Sequence, residues 1–100
     1  MKLPVTILRD GRAIDLTAKV DDIRNPVIGR TIARELGCMG EECIFEIEIF
    51  GKYLGPFSFE VKDVDDMIIP KWLIEAFSLR VDKNEVVPTE EFKKWTHVLL

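Results

Sequence analysis

The chain has 100 residues, 47% of them hydrophobic, which is enough apolar surface for one core and predicts a single domain over residues 1–100. The net charge of −4, from 18 acidic and 14 basic side chains that are interspersed, argues against direct binding of duplex DNA. No apolar run is long enough to span a membrane, and residues 1–5 lack the features of a secretory signal. We therefore expect a cytoplasmic protein, and a high content of Ile, Glu and Lys without Gln suggests a thermophile.

Residues 3–20 predict a β-hairpin that turns at Asp10-Gly11, a strong signal for a two-residue turn. With this turn, Ile7 faces Ile14, and the apolar residues of both strands fall on one face. The register is self-consistent, which supports the hairpin more strongly than strand propensity does.

Residues 26–36 predict a helix. Asn25 is a favourable N-cap and Pro26 suits the first helical position, where the missing N–H costs nothing. Gly37 is expected to end the helix in a left-handed conformation. The residues that recur at helical spacing on the buried side are Ile28, Ile32, Ala33 and Leu36.

Residues 43–61 predict a second hairpin, because apolar and acidic side chains alternate along its first strand. A five-residue loop over 51–55 would place Phe45 opposite Val61 and Ile47 opposite Phe59. We prefer this loop because it keeps the aromatic residues on the apolar face.

The remaining segments predict a polar turn at Asp63–Asp66, a helix near 70–79 that starts at Pro70, a short strand within 81–87, and a helix near 89–96 capped by Thr89. No internal repeat is evident. The expected fold class is α+β, with the two hairpins in a mixed or antiparallel sheet and the helices packed on it.

No catalytic, metal or cofactor-binding residues emerge from the sequence, so we expect a protein that is not an enzyme. Asp63, Asp65 and Asp66 resemble the start of a calcium loop, but Met67 and Ile68 occupy the places where that loop needs an oxygen ligand and a glycine. The solvated turn is the favoured interpretation. Glutamates that alternate along a strand are more typical of its solvent-exposed face than of an acid–base pair.

Cys38 and Cys43 are the only cysteines and lie five positions apart. Two free thiols are the favoured interpretation, and a disulfide between them is the alternative, which intracellular proteins of hyperthermophiles tolerate. A zinc site would need about four ligands, and only His97 could join the two cysteines.

Two segments carry a family resemblance. Gly55-Pro56-Phe57 and Pro70-Lys71-Trp72-Leu73, followed by Val87-Pro88, resemble the small β-rich domain of GINS subunits, which are accessory proteins of the replication helicase. The resemblance covers residues 50–95. It implies a component of an archaeal-type DNA replication complex.

A second resemblance lies at the other end of the chain. The order of hairpin and helix over residues 3–37 is similar to the opening of the β-grasp fold of ubiquitin-like proteins. This resemblance concerns the fold and carries little about function.

The sequence therefore predicts a non-enzymatic protein-interaction module, GINS-like in the first interpretation and a stand-alone β-grasp adaptor or homodimer in the second. A small enzyme is the third possibility. The expected partner is another protein or a second copy, with no cofactor and no small-molecule substrate. The candidate partner-binding residues are Trp72, Asp63, Asp65, Asp66 and Trp95.

Overall fold

The computed structural model describes residues 1–94 and contains eight strands and three short helices in that range. The strands are β1 (Lys2–Arg9), β2 (Arg12–Asp21), β3 (Val27–Gly29), β4 (Glu42–Ile49), β5 (Lys52–Lys62), β6 (Met67–Pro70), β7 (Leu79–Asp82) and β8 (Glu85–Pro88). The helices are α1 (Arg30–Glu35), α2 (Lys71–Ala76) and α3 (Glu90–Lys94). Within these residues, no helix is long and apolar enough to cross a membrane.

Six of the strands form a closed barrel in the order β2-β6-β3-β5-β4-β1, and pairing of β1 with β2 closes the ring. The hairpin of β7 and β8 joins the barrel through the parallel pairing of Lys2 with Glu85. Inward-facing side chains such as Phe45, Phe59 and Leu54 fill the barrel. The α+β prediction of helices packed on a sheet is therefore wrong, because the strands enclose the core themselves.

The first hairpin is the part of the fold that the sequence predicts well. β1 and β2 pair in the expected register, with Leu3 opposite Ala18 and Ile7 opposite Ile14. The turn has positive φ at both central residues, 49° at Asp10 and 79° at Gly11. This is the type I′ geometry that matches the twist of two antiparallel strands.

The helix predicted over 26–36 begins later. Val27, Ile28 and Gly29 form β3, which lies between β5 and β6 with all three residues buried. The carbonyl of Pro26 accepts a 2.9 Å hydrogen bond from the N–H of Glu60, which extends the pairing of this segment with β5. The helix α1 starts only at Arg30, and the positive φ of Gly37 ends it as predicted.

The predicted register of the second hairpin is wrong. The chain turns at Phe50-Gly51, so Ile47 pairs with Leu54 and Phe45 pairs with Phe57. Between these pairs β5 has one extra residue, a β-bulge opposite β4. Leu54 and Phe57 are three positions apart and would lie on opposite faces of a regular strand, but the bulge turns both into the core.

The helix predicted near 70–79 is shorter in the structure. Pro70 ends β6 and occupies the N-cap position of α2, which stops at Ala76. β7 and β8 form a hairpin where a single short strand was expected. The capping role of Thr89 is confirmed, since its Oγ1 accepts a 3.1 Å hydrogen bond from the N–H of Phe92. The predicted helix positions 95 and 96 lie outside the described residues.

The chain also has an internal structural repeat, which is not evident from its sequence. Residues 19–21 pair with residues 68–70, and residues 60–62 pair with residues 27–29, so each position corresponds to one 41 places later. The helices α1 and α2 obey the same offset and have nearly identical capping angles. The two halves are therefore related by an approximate two-fold axis.

A disulfide joins Cys38 to Cys43 and spans the connection between the two halves. Both cysteines are at least nine-tenths buried. The favoured interpretation of two free thiols is wrong, and the alternative that the spacing left open is the one observed.

Candidate functional site

The candidate site lies where β2 leaves the barrel. Asp21, the last residue of β2, is exposed and pairs with Pro70 of β6. The chain then turns sharply, because the N–H of Ile23 donates to the carbonyl of Asp21 at 3.0 Å. The backbone N–H of Asp22 donates to Asp21 Oδ1 at 2.8 Å, which fixes the direction of that carboxylate. A hydrogen-bonded carboxylate thus lies at the end of a paired strand.

Residues 22–26, here called the β2–β3 turn, are held on two sides. Trp72 Nε1 donates a 2.8 Å hydrogen bond to the carbonyl of Arg24, which attaches the turn to α2. Asn25 Nδ2 donates to Glu60 Oε1 at 3.0 Å, which attaches it to β5. The hydrogen bond from Asn25, and after it the one from Lys62, lowers the pKa of Glu60.

The quasi-equivalent turn, residues 63–66 between β5 and β6, is held by a cation. Arg30 Nε donates to Asp63 Oδ1 at 2.6 Å, and its two terminal nitrogens donate to the two oxygens of Glu41 at 3.0 and 3.2 Å. These hydrogen bonds raise the pKa of Arg30 and lower the pKa of Asp63. Arg30 therefore connects α1, the turn after β5 and the disulfide loop.

The structure separates the residues predicted to bind a partner. Asp63 binds Arg30. Asp66 forms a 2.9 Å ion pair with Lys19 and raises the pKa of that lysine. Asp65 is exposed in the same turn. Trp72 lies past the opposite end of β6 and its side chain is about half exposed, at 49%. Trp95 lies outside the described residues.

Asp21 and Asp22 are not among the predicted site residues, because they precede a segment whose sequence predicts the start of a helix. A signal for them does exist in the repeat. Val20-Asp21-Asp22-Ile23 corresponds to Val61-Lys62-Asp63-Val64, so the two segments share a valine, an aspartate and a β-branched residue at the same spacing. An alignment of the two halves would have placed Asp21 at a strand end.

No protein-family model matches the chain, and no curated protein matches it. Among solved structures, the retroviral protease-like domain of Ddi1 from Leishmania major is similar to it, with a TM-score of 0.59 and 19% sequence identity. The alignment covers 95% of this chain and 96% of that chain. At this identity the similarity shows the fold alone, which is a retroviral protease-like barrel.

This similarity overturns both resemblances drawn from the sequence. A closed barrel matched almost end to end contradicts the GINS interpretation over residues 50–95 and the β-grasp interpretation over residues 3–37. The predicted role in DNA replication, and the interaction module built on either resemblance, are wrong for the same reason. The similar structure is described as a protease-like domain, so the expectation that the protein is not an enzyme is not confirmed.

Proposed function

We propose that this protein is a peptidase of the aspartic type, which acts as a homodimer and uses Asp21 of each copy. The observation that carries the proposal is the exposed, oriented carboxylate of Asp21 at the end of a barrel strand. The fold that holds it is similar to a retroviral protease-like domain over nearly the whole chain. The substrate class is an extended peptide segment.

The chemistry requires two carboxylates close together. Aspartic peptidases use a pair that shares one proton, because two like charges about 3 Å apart do not both ionise. The ionised carboxylate takes a proton from a water molecule, and the water oxygen attacks the peptide carbonyl. The protonated carboxyl donates its proton to the carbonyl oxygen, and collapse of the tetrahedral intermediate then breaks the C–N bond as the amine is protonated.

One copy of residues 1–94 supplies only one carboxylate at this position. The residue that corresponds to Asp21 in the second half is Lys62, 41 positions later. Asp22 is the next residue after Asp21, and its own N–H is turned toward the Asp21 carboxylate. A second copy related by a two-fold axis would supply the matching Asp21, because such an interface presents the same residue from both sides.

The test compares Asp21→Asn with Asp22→Asn. Each removes one exposed carboxylate, and Asp22→Asn keeps the backbone N–H that orients Asp21. We expect the wild-type protein to cleave an unfolded protein substrate at acidic pH, because the mechanism needs a carboxyl pair that shares one proton. Asp21→Asn should lose this cleavage and Asp22→Asn should retain it.

Sedimentation velocity on the same samples measures the oligomeric state. All three proteins should sediment as dimers if the substitutions leave the interface intact. A wild-type protein that is monomeric at assay concentration, or that leaves every peptide bond of the substrate intact, would contradict the proposal. Equal cleavage by the Asp21→Asn protein would contradict it as well.

A further inference from the structure

One edge of β1 is paired with neighbouring strands only in part. β2 pairs along its whole length. On the other side, β4 pairs with β1 only at residues 6–8, and β8 pairs only at Lys2. Within the described chain, residues 3–5 therefore have strand partners on one side alone. Between the pairings with β4 and β8, this edge of β1 is open.

Two adjoining cavities occupy this opening and together form what we call the β1 groove. Their volumes are about 430 and 780 Å³, and they share the side chains of Pro4, Thr17 and Phe50. Phe50 is 41% exposed, and its ring makes an edge contact with Phe92 at 6.2 Å between ring centroids. The middle of the groove is thus an accessible apolar surface.

One end of the β1 groove is acidic. Asp15, Thr6 and Glu48 form a row across β2, β1 and β4, because Thr6 pairs with Asp15 on one side and with Glu48 on the other. Thr6 Oγ1 donates a 2.6 Å hydrogen bond to Asp15 Oδ1. Within residues 1–94, neither Asp15 nor Glu48 forms an ion pair, and Glu48 forms no side-chain hydrogen bond.

This end of the groove is complementary to a guanidinium group. Asp15, Thr6 and Glu48 line the same cavity, and β2 and β4 each lie about 4.8 Å from β1, so a carboxylate borders the space above Thr6 on either side of one planar cation. Phe50 lines the same cavity and contributes an aromatic ring, a group that attracts a guanidinium. A guanidinium has five N–H donors in one plane and can donate to two separated carboxylates at once. A lysine ammonium has three donors on a single nitrogen and is less suited to this arrangement.

We propose that the β1 groove binds an extended peptide segment of another protein through an arginine placed between Asp15 and Glu48. The residues that follow the arginine run over Phe50 and Pro4 toward β8, where the backbone of residues 3–5 has no strand partner on that side. Asp15 lies six residues before Asp21 on β2, about 20 Å along the strand. The groove is therefore separate from the proposed peptidase site.

The test uses Asp21→Asn as the parent protein, so that cleavage cannot remove the probe. The probe is a fluorescein-labelled heptapeptide with one central arginine between valine and threonine residues, and binding is followed by fluorescence anisotropy. In a second probe, citrulline replaces the arginine and keeps its shape without its charge. We expect the citrulline probe to bind at least about tenfold more weakly, as the loss of a charge-assisted contact predicts.

Substitutions in the groove should give the same result. Asp15→Asn with Glu48→Gln should weaken the arginine probe by at least about tenfold. Glu46→Gln is the matched control, because Glu46 lies two residues before Glu48 on the same face of β4 and outside both cavities of the groove. The control should bind the arginine probe as the parent does.

Three results would overturn the assignment. They are equal binding of both probes, unchanged binding by the double variant, and no binding by the parent protein at millimolar probe. A double variant that changes the sedimentation coefficient would instead assign the groove to a second copy of the chain. None of these results depends on catalysis, so failure here is distinguishable from failure of the proposed peptidase activity.

Discussion

Gly29 is the position where one methyl group should destabilise this fold most directly. A Cβ atom at this residue would lie 2.4 Å from the carbonyl oxygen of Val64 and 3.3 Å from that of Asp66. Both atoms belong to the backbone of the turn between β5 and β6, so a side-chain rotation cannot relieve the contact. The φ of Gly29 is −65°, which alanine adopts freely, and the effect is therefore one of space rather than of backbone conformation.

The cost of Gly29→Ala follows from three contributions. Overpacking a tight site costs about 1–3 kcal/mol. Moving the turn also strains the 2.9 Å hydrogen bond from the N–H of Gly29 to the carbonyl of Asp66, worth about 1 kcal/mol. Alanine also reduces the conformational entropy of the unfolded chain, which stabilises the folded state by about 0.4–1 kcal/mol. We expect a net loss of about 2–3 kcal/mol, or roughly 10–20 °C in Tm for a chain of this size.

Urea denaturation followed by tryptophan fluorescence measures this loss. Gly40→Ala is the control, because the nearest atom to its added Cβ, the Glu42 carbonyl oxygen, lies at 3.4 Å, an ordinary contact distance. The control should stay within about 0.5 kcal/mol of the wild type. If both variants unfold at the same urea concentration, the turn between β5 and β6 can move away from residue 29 without loss of stability. That result would refute the predicted destabilisation.

Three further changes test the packing and the charges. Trp72→Phe should lose the hydrogen bond to the Arg24 carbonyl and about 1 kcal/mol of stability in urea denaturation, and an unchanged midpoint would show that this bond contributes nothing. Phe59→Ala should cost about 3–5 kcal/mol because its ring is 1% exposed inside the barrel, and a smaller loss in calorimetry would mean that the core collapses around the gap. Arg30 lowers the pKa of Asp63, so this ion pair should stabilise the protein above about pH 4 and should lose its effect as the pH falls through the lowered pKa. Asp63→Asn should therefore remove this part of the acid dependence of Tm. Identical Tm profiles of the variant and the wild type between pH 2 and pH 5 would contradict this expectation.

The parts of the fold that the sequence predicts are those decided by neighbouring residues. The hairpin of β1 and β2 has its register fixed by a two-residue turn, and Thr89 caps the helix directly after it. β3 cannot be recognised from neighbouring residues, because a short, fully buried strand shows no alternation of apolar and polar side chains. Its Val27 and Ile28 follow Asn25-Pro26, which is also a good signal for the start of a helix. Only the distant strands β5 and β6 decide between the two structures.

The same limit applies to the candidate site. The polar turn at residues 63–66 is readable from its aspartates, but its attachment to Arg30, 33 positions before Asp63, is not. The register of the second hairpin depends on a bulge that no local signal marked. Asp21 is placed by the pairing of β2 with β6, which joins residues 49 positions apart. Each of these features depends on contacts between residues that are far apart in the sequence.

The two-fold arrangement of the barrel also determines how the chain must fold. Residues 1–41 contain one complete hairpin, which alone is marginally stable in water, while β3 and the open edge of β2 wait for partners from the second half. Contacts this distant in sequence carry a large loop-closure entropy and make folding slow compared with that of a helical domain. During synthesis, β1 and β3 can pair with β4 and β5 first, and the ring of strands closes only once β6 has left the ribosome.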